Sequence, residues 1–171
     1  GIAHGGIGAF KMLAERIGLI DDIDQNLHLL LFHRPYHESD HVLNLAYNAL
    51  CNGTCLQDLE LRRQDEVFLD ALGAQRIPDP TTAGDFCRRF GAADVYALID
   101  IFNKVRQRVW ARQPTSFFEL ARIDMDGTLV ETLGECKLGM DIAYNGIWGY
   151  HPLIVSLANT GEILSLLNRS G

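Results

Sequence analysis

No apolar run in the chain approaches the roughly 20 residues that a membrane-spanning helix needs, so no membrane partner is expected. Cysteine is scarce and scattered, at Cys51, Cys55, Cys87 and Cys136, without the spacing of a disulfide framework. The opening Gly1-Ile2-Ala3-His4-Gly5-Gly6 has neither an initiator Met nor a basic stretch leading into an apolar one. A secretory leader is therefore not expected, reduced thiols in a cytoplasmic compartment are, and the chain reads as a trimmed fragment. Internal repeats and low-complexity tracts are missing as well. Positive charge is short overall: the net charge of −7 excludes a protein that coats nucleic acid indiscriminately. What remains, 47% hydrophobic and 22% charged over 171 residues, suits one domain or a small domain with part of another.

The charge is unevenly spread. Residues 1–85 hold 6 basic and 13 acidic side chains, residues 86–122 hold 7 and 3, and residues 123–171 hold 2 and 6. A basic segment thus lies directly before the pair Asp124 and Asp126 in sequence.

Periodicity divides the chain near residue 118. Before it, apolar residues recur at helical spacing, predicting helices over 5–17, 22–30, 39–53 with Ser39 as N-cap, 54–61, 66–72 capped by Asp65, 81–90 capped by Thr81 or Thr82, and 92–112. On the last of these, Val95, Leu98, Ile99, Phe102, Val105 and Val109 are expected to face the core. Lys104, Arg106, Arg108 and Arg112 are left to the other side, with Arg88 and Arg89 on the short helix before it. These six are the candidate phosphate contacts, and a merely solvated face is the plain alternative. Beyond residue 118, Leu120–Met125, Tyr150–Ala158 and Glu162–Leu167 read as three antiparallel strands, the last two joined by the turn Asn159-Thr160-Gly161. His33, His37 and His41 are spaced four apart, as are Cys51 and Cys55, but Pro35 and Gly53 interrupt the helices that would align them on a zinc ion. Solvated histidines and small core thiols are expected instead.

The candidate chemistry lies in Ala121-Arg122-Ile123-Asp124-Met125-Asp126-Gly127-Thr128. Alternation on a strand puts both aspartates on one face, and two neighbouring carboxylates suit a divalent cation. An edge strand that happens to carry two acids is the alternative. Asp-Met-Asp-Gly-Thr resembles the first motif of haloacid-dehalogenase-like phosphatases, which would imply an aspartyl nucleophile on a parallel sheet alternating with helices.

A wider resemblance is to the DDE-type transposases of bacterial insertion sequences. It is carried by Ile123 through Val130, Gly134-Glu135, Tyr144-Asn145-Gly146, Trp148 through Leu153, and Asn159-Thr160-Gly161 through Asn168-Arg169-Ser170-Gly171. The Tyr36–Leu50 helix, Gln57-Asp58-Leu59 and Pro78 through Phe90 are similar to that family's helical N-terminal region. The resemblance implies an α+β chain: an all-helical DNA-binding or dimerisation region over 1–115, then over 116–171 the first three antiparallel strands of a truncated ribonuclease-H-like core. It implies DNA strand cleavage and transfer at transposon terminal repeats, with two Mg²⁺ or Mn²⁺ ions held by three carboxylates in the complete family site. Asp126 is the better match to the first of the three and Asp124 the second candidate. The second Asp and the Glu of the triad have no counterpart in residues 1–171, so inactivity in isolation is expected. Association with double-stranded DNA, with a second copy or with full-length transposase, and a bacterial nucleoid-associated location, complete the expectation. A non-enzymatic DNA-binding or dimerising remnant is the third reading. Asp124 and Asp126 are expected on one face of a central strand, in a sheet that exposes an unpaired edge.

Overall fold

The computed structural model describes residues 4–33, 35–133, 137 and 139–168. Cys136, Gly134-Glu135 and Arg169-Ser170-Gly171, all used in the sequence reading, lie outside the described residues, as do residues 1–3. The fold is mixed α+β, and the chain divides into two compact units, Gly1–Ala111 and Arg112–Gly171. The boundary falls four residues before the expected 115/116.

The first unit contains, among the described residues, seven α-helices: α1 Ile7–Arg16, α2 Leu19–Asn26, α3 Glu38–Leu50, α4 Leu59–Arg63, α5 Glu66–Leu72, α6 Pro80–Cys87 and α7 Ala92–Trp110. Capping chemistry explains most of the boundaries. Asp65 accepts from the Val67 and Phe68 amides, and Gly73 takes the left-handed conformation that ends α5. Asp79, and not Thr81 or Thr82, caps α6, accepting from both threonine amides with Pro80 in the first turn. Those hydrogen bonds, Thr82 first, hold the Asp79 carboxyl below its ordinary pKa.

Two expected elements sit elsewhere. The second helix is Leu19–Asn26, earlier than residues 22–30, because Leu29 and Leu30 give their amides to the Glu38 carboxylate at 3.0 and 2.9 Å and so leave the helix. α3 starts from His37, whose amide donates to Asp40 at 2.8 Å, while Ser39 lies inside the helix and binds Asp24 through its amide and hydroxyl.

Two apolar clusters fill the unit. One joins Ile7 and Ala14 of α1, Leu43 and Tyr47 of α3, and Phe68 and Leu72 of α5. The other joins Ile23, Leu27, Val42, Phe86 and Ile101, so that α2, α3, α6 and α7 meet. Full burial of such a side chain is worth about 1.5–3 kcal/mol. α7 turns differently from expectation: Ile101 and Val105 are its buried residues, whereas Val95 and Phe102 are exposed.

Among its described residues, the second unit holds six short strands: β1 Ile123–Gly127, β2 Val130–Glu131, β3 Asp141–Ile142, β4 Trp148–Tyr150, β5 Leu153–Leu157 and β6 Glu162–Leu167. β1, β5 and β6 form the expected antiparallel trio in the order β1-β5-β6. A bulge between Val155 and Ser156 shifts the β5–β6 register there. β2, β4 and β3 form a second antiparallel sheet that the sequence reading did not separate. Gly146, at φ 82°, closes the β3–β4 hairpin. Gly149 is required by contact, since a Cβ there would meet the Val130 carbonyl oxygen at 2.5 Å.

Candidate functional site

β1 begins three residues later than expected, and the Asn159 side chain fixes its approach. That amide donates to the Leu120 carbonyl at 2.9 Å and accepts from the Arg122 amide at 2.8 Å. From there alternation acts as the sequence implies. Asp124 lies opposite Ser156 and Asp126 opposite Ile154 on one face, and Ile123 and Met125 lie opposite Leu157 and Val155 on the other. β1 is an edge strand of its sheet among the described residues, which corrects the expectation of a central strand and agrees with the expected unpaired edge. Both aspartates are exposed, and among the described residues no hydrogen bond or ion pair engages either side chain.

Carboxylate oxygens are the right donors for a hard cation such as Mg²⁺ or Mn²⁺. The pair is incomplete as a metal centre, because no group of three His, Cys, Asp or Glu side chains able to hold an ion is present among the described residues. Among the described residues, His33, His37 and His41 and Cys51, Cys55 and Cys87 are likewise in no such group. No protein-family model, curated protein or solved structure matches this chain.

The six basic candidates differ in their surroundings. Arg88 is the C-cap of α6 and Arg89 follows it, so both sit in the α6–α7 turn instead of on a helix. Arg88 pairs with Asp85 at 2.6 Å, and Arg89 donates to the Leu29 carbonyl at 3.3 Å. Lys104 is exposed on α7, and Arg106 binds the Asn103 side chain within the same helix. Arg108 is a clamp: it donates to the Ile17 carbonyl at 3.1 Å and to Asp22 at 3.0 Å, tying the α1–α2 junction to α7. That hydrogen bond to Asp22 raises the guanidinium pKa further. Arg112 lies past the end of α7, within the second unit.

The segment between α2 and α3 holds a polar cluster that local sequence spacing does not announce. Glu38 is 1% exposed, and its two backbone donors are joined by the His33 Nε2 at 3.3 Å. Burial alone would push its carboxyl up, but the Leu30 and Leu29 amides, its own amide and His33 outweigh this and hold its pKa below the usual value. The buried His41 ring stacks on Phe86 at 4.3 Å with Tyr36 at its edge, and burial lowers its pKa despite Asp40 and Glu38 nearby. The visible signal was Leu31-Phe32, two large apolar residues ahead of Pro35 with no helical partner spacing.

Proposed function

We propose that the chain is the DNA-engaging and first catalytic-strand portion of a DDE-type transposase, as the sequence resemblance implies. The observation that carries the reading is the placement of Asp124 and Asp126. They share one face of β1, free of protein partners among the described residues, on an antiparallel sheet whose β1 edge is open. In this reading Asp126, with Asp124 beside it, is the first part of a divalent-cation site of a ribonuclease-H-like core. A complete site would use its ions to activate an attacking oxygen and stabilise the leaving one. The pair alone holds an ion weakly, since no third carboxylate joins it among the described residues.

The phosphatase reading is the less favoured one. It needs a parallel sheet with helices between its strands after Asp126, and the described strands there are antiparallel.

On the helical side, Arg88, Arg89 and Lys104 are the cations proposed to meet phosphates of double-stranded DNA, while Arg108 acts through Asp22. The test is a titration of chain 1–171 with Mn²⁺, followed by paramagnetic broadening of amide signals, together with duplex DNA binding over a salt series. Broadening centred on 124–126, erased by Asp126→Asn and reduced by Asp124→Asn, is expected. Arg88→Glu with Arg89→Glu should lower the slope of log affinity against log salt by about 2. Absence of local broadening removes the metal reading of β1, and an unchanged slope leaves the two arginines as a solvated surface.

A further inference from the structure

Leu31 and Phe32 are 87% and 83% exposed, adjacent, and at the tip of the segment joining α2 to α3. Scattered exposed apolar residues are normal, but these two stand on a segment anchored at its base. The Glu38 carboxylate accepts from the Leu29 and Leu30 amides and pairs with His33, Arg89 holds the Leu29 carbonyl, and the His33 and His37 rings stack at 5.1 Å. The conformation that displays Leu31 and Phe32 is thereby fixed in advance, so little ordering entropy is left to be lost on binding.

The chemistry around the tip selects the partner. Among the described residues its charged or chargeable neighbours include Arg89, His33 and His37; of the carboxylates there, Glu38 is buried and engaged, and Asp40 accepts from the His37 amide. A hollow of about 310 Å³ beneath the tip is walled by Leu30, Pro35, Tyr36, His41, Thr82 and Arg89. Two side chains are too small a patch for a protein partner, which would require on the order of 800 Å² from each side. They match the wedge by which DNA-bending proteins part a base step, with the Arg89 guanidinium alongside for a flanking phosphate.

We propose that Leu31 and Phe32 form an intercalating wedge that unstacks one base step of double-stranded DNA, with Arg89 and the His33–His37 pair beside the displaced backbone. The inference rests on the DNA-binding reading above and adds a deformation step to it. Flexible pyrimidine–purine steps are the preferred target, because they unstack most easily.

The probe is a duplex of about 30 base pairs containing TA steps, with dyes at both ends to report bending and 2-aminopurine at a TA step to report unstacking. Chain 1–171 should bend the duplex and brighten the 2-aminopurine. Phe32→Ala should abolish both signals and weaken binding about tenfold while leaving the salt slope unchanged, and Phe32→Trp should restore them. Thermal melting of the exposed-site variants should match the parent. Binding with a steep salt slope and equal bending in Phe32→Ala overturns the wedge but keeps the DNA reading. No salt-dependent binding by the parent chain overturns both. If Phe32→Ala instead abolishes self-association seen by sedimentation and leaves DNA bending intact, the tip is a protein contact and the wedge is overturned.

Discussion

Within Gly1–Ala111, Ile23, Leu59 and Ile101 are almost completely removed from solvent, whereas within Arg112–Gly171 Ile123 is 52% and Met125 68% exposed. The contrast runs through both units. Among the described residues, the second unit contributes only Ala143, Pro152 and Leu157 to the buried apolar side chains. A helix can bury one stripe against several neighbours, and here α2, α3, α6 and α7 close on Phe86 and Ile23 from different sides. A three-stranded sheet has two faces and needs a layer against each. The β1-β5-β6 sheet presents Ile123, Met125 and Leu167 on one side and Ile163 and Leu166 beside the aspartates on the other, all substantially exposed. The first unit therefore closes a core of its own, and the second holds together chiefly by strand pairing.

The two units should respond differently to substitution and to pH. The largest effect is expected from Phe86→Ala, which removes a ring that is 2% exposed, packed on His41 and at the edge of Phe90. A loss of about 3–5 kcal/mol in urea unfolding followed by helical circular dichroism is expected. Amide protection in β5 should stay as in the parent chain. Met125→Ser, by contrast, should change stability by less than about 0.5 kcal/mol. Equal effects of these two substitutions would erase the distinction between the units.

Gly149→Val reverses the experiment. Its side chain would collide with the Val130 carbonyl, so β2 must move away from β4 at a cost of about 1–3 kcal/mol. Faster hydrogen exchange at the Thr132 amide, which donates to the Trp148 carbonyl, should report it while the helical signal is unchanged.

The smallest effect is the pH dependence of the helical unit. Burial holds the His41 pKa below 6.5, so the unfolded chain takes up a proton where the folded one does not. The stability this supplies is fully present above about pH 6.5 and is lost as pH falls through the lowered folded value. Glu38 has the same sign at lower pH: its contribution is present above its unfolded value of 4.5 and lost as pH drops through the lowered one. Melting temperature should decline from about pH 7 to about pH 5.5 in the parent and stay flatter in His41→Phe. A parallel decline in that variant would assign the slope to another group.

How far the sequence could be read follows the range of the interactions involved. α5 is legible because Asp65 and Gly73 are its own punctuation, and β1, β5 and β6 because apolar alternation and the Asn159-Thr160-Gly161 turn are local. The pairing of Asp124 and Asp126 on one face needs only a two-residue period. The placement of α2 was not legible, since the residues that end it answer to Glu38 from eight and nine positions away. Arg108 looked like a surface cation because its partner Asp22 lies 86 residues earlier. β2, β3 and β4 are two or three residues long, too short to show any period.

The Asn159 clamp on the approach to β1 sets an order in time. Its amide belongs to the turn between β5 and β6, so β1 cannot be held in place until that later hairpin exists. On a ribosome adding about 5–20 residues per second, the roughly 35 residues from β1 to Asn159 take about 2–7 s. Until β5 has been made, the β1 segment carries Ile123 and Met125 without the strand it pairs with. Asp124 and Asp126 then act as gatekeepers: two like charges in a five-residue strand make stacking against the same strand of another nascent copy unfavourable. A substitution that neutralised both would first be felt in the yield of folded chain during synthesis.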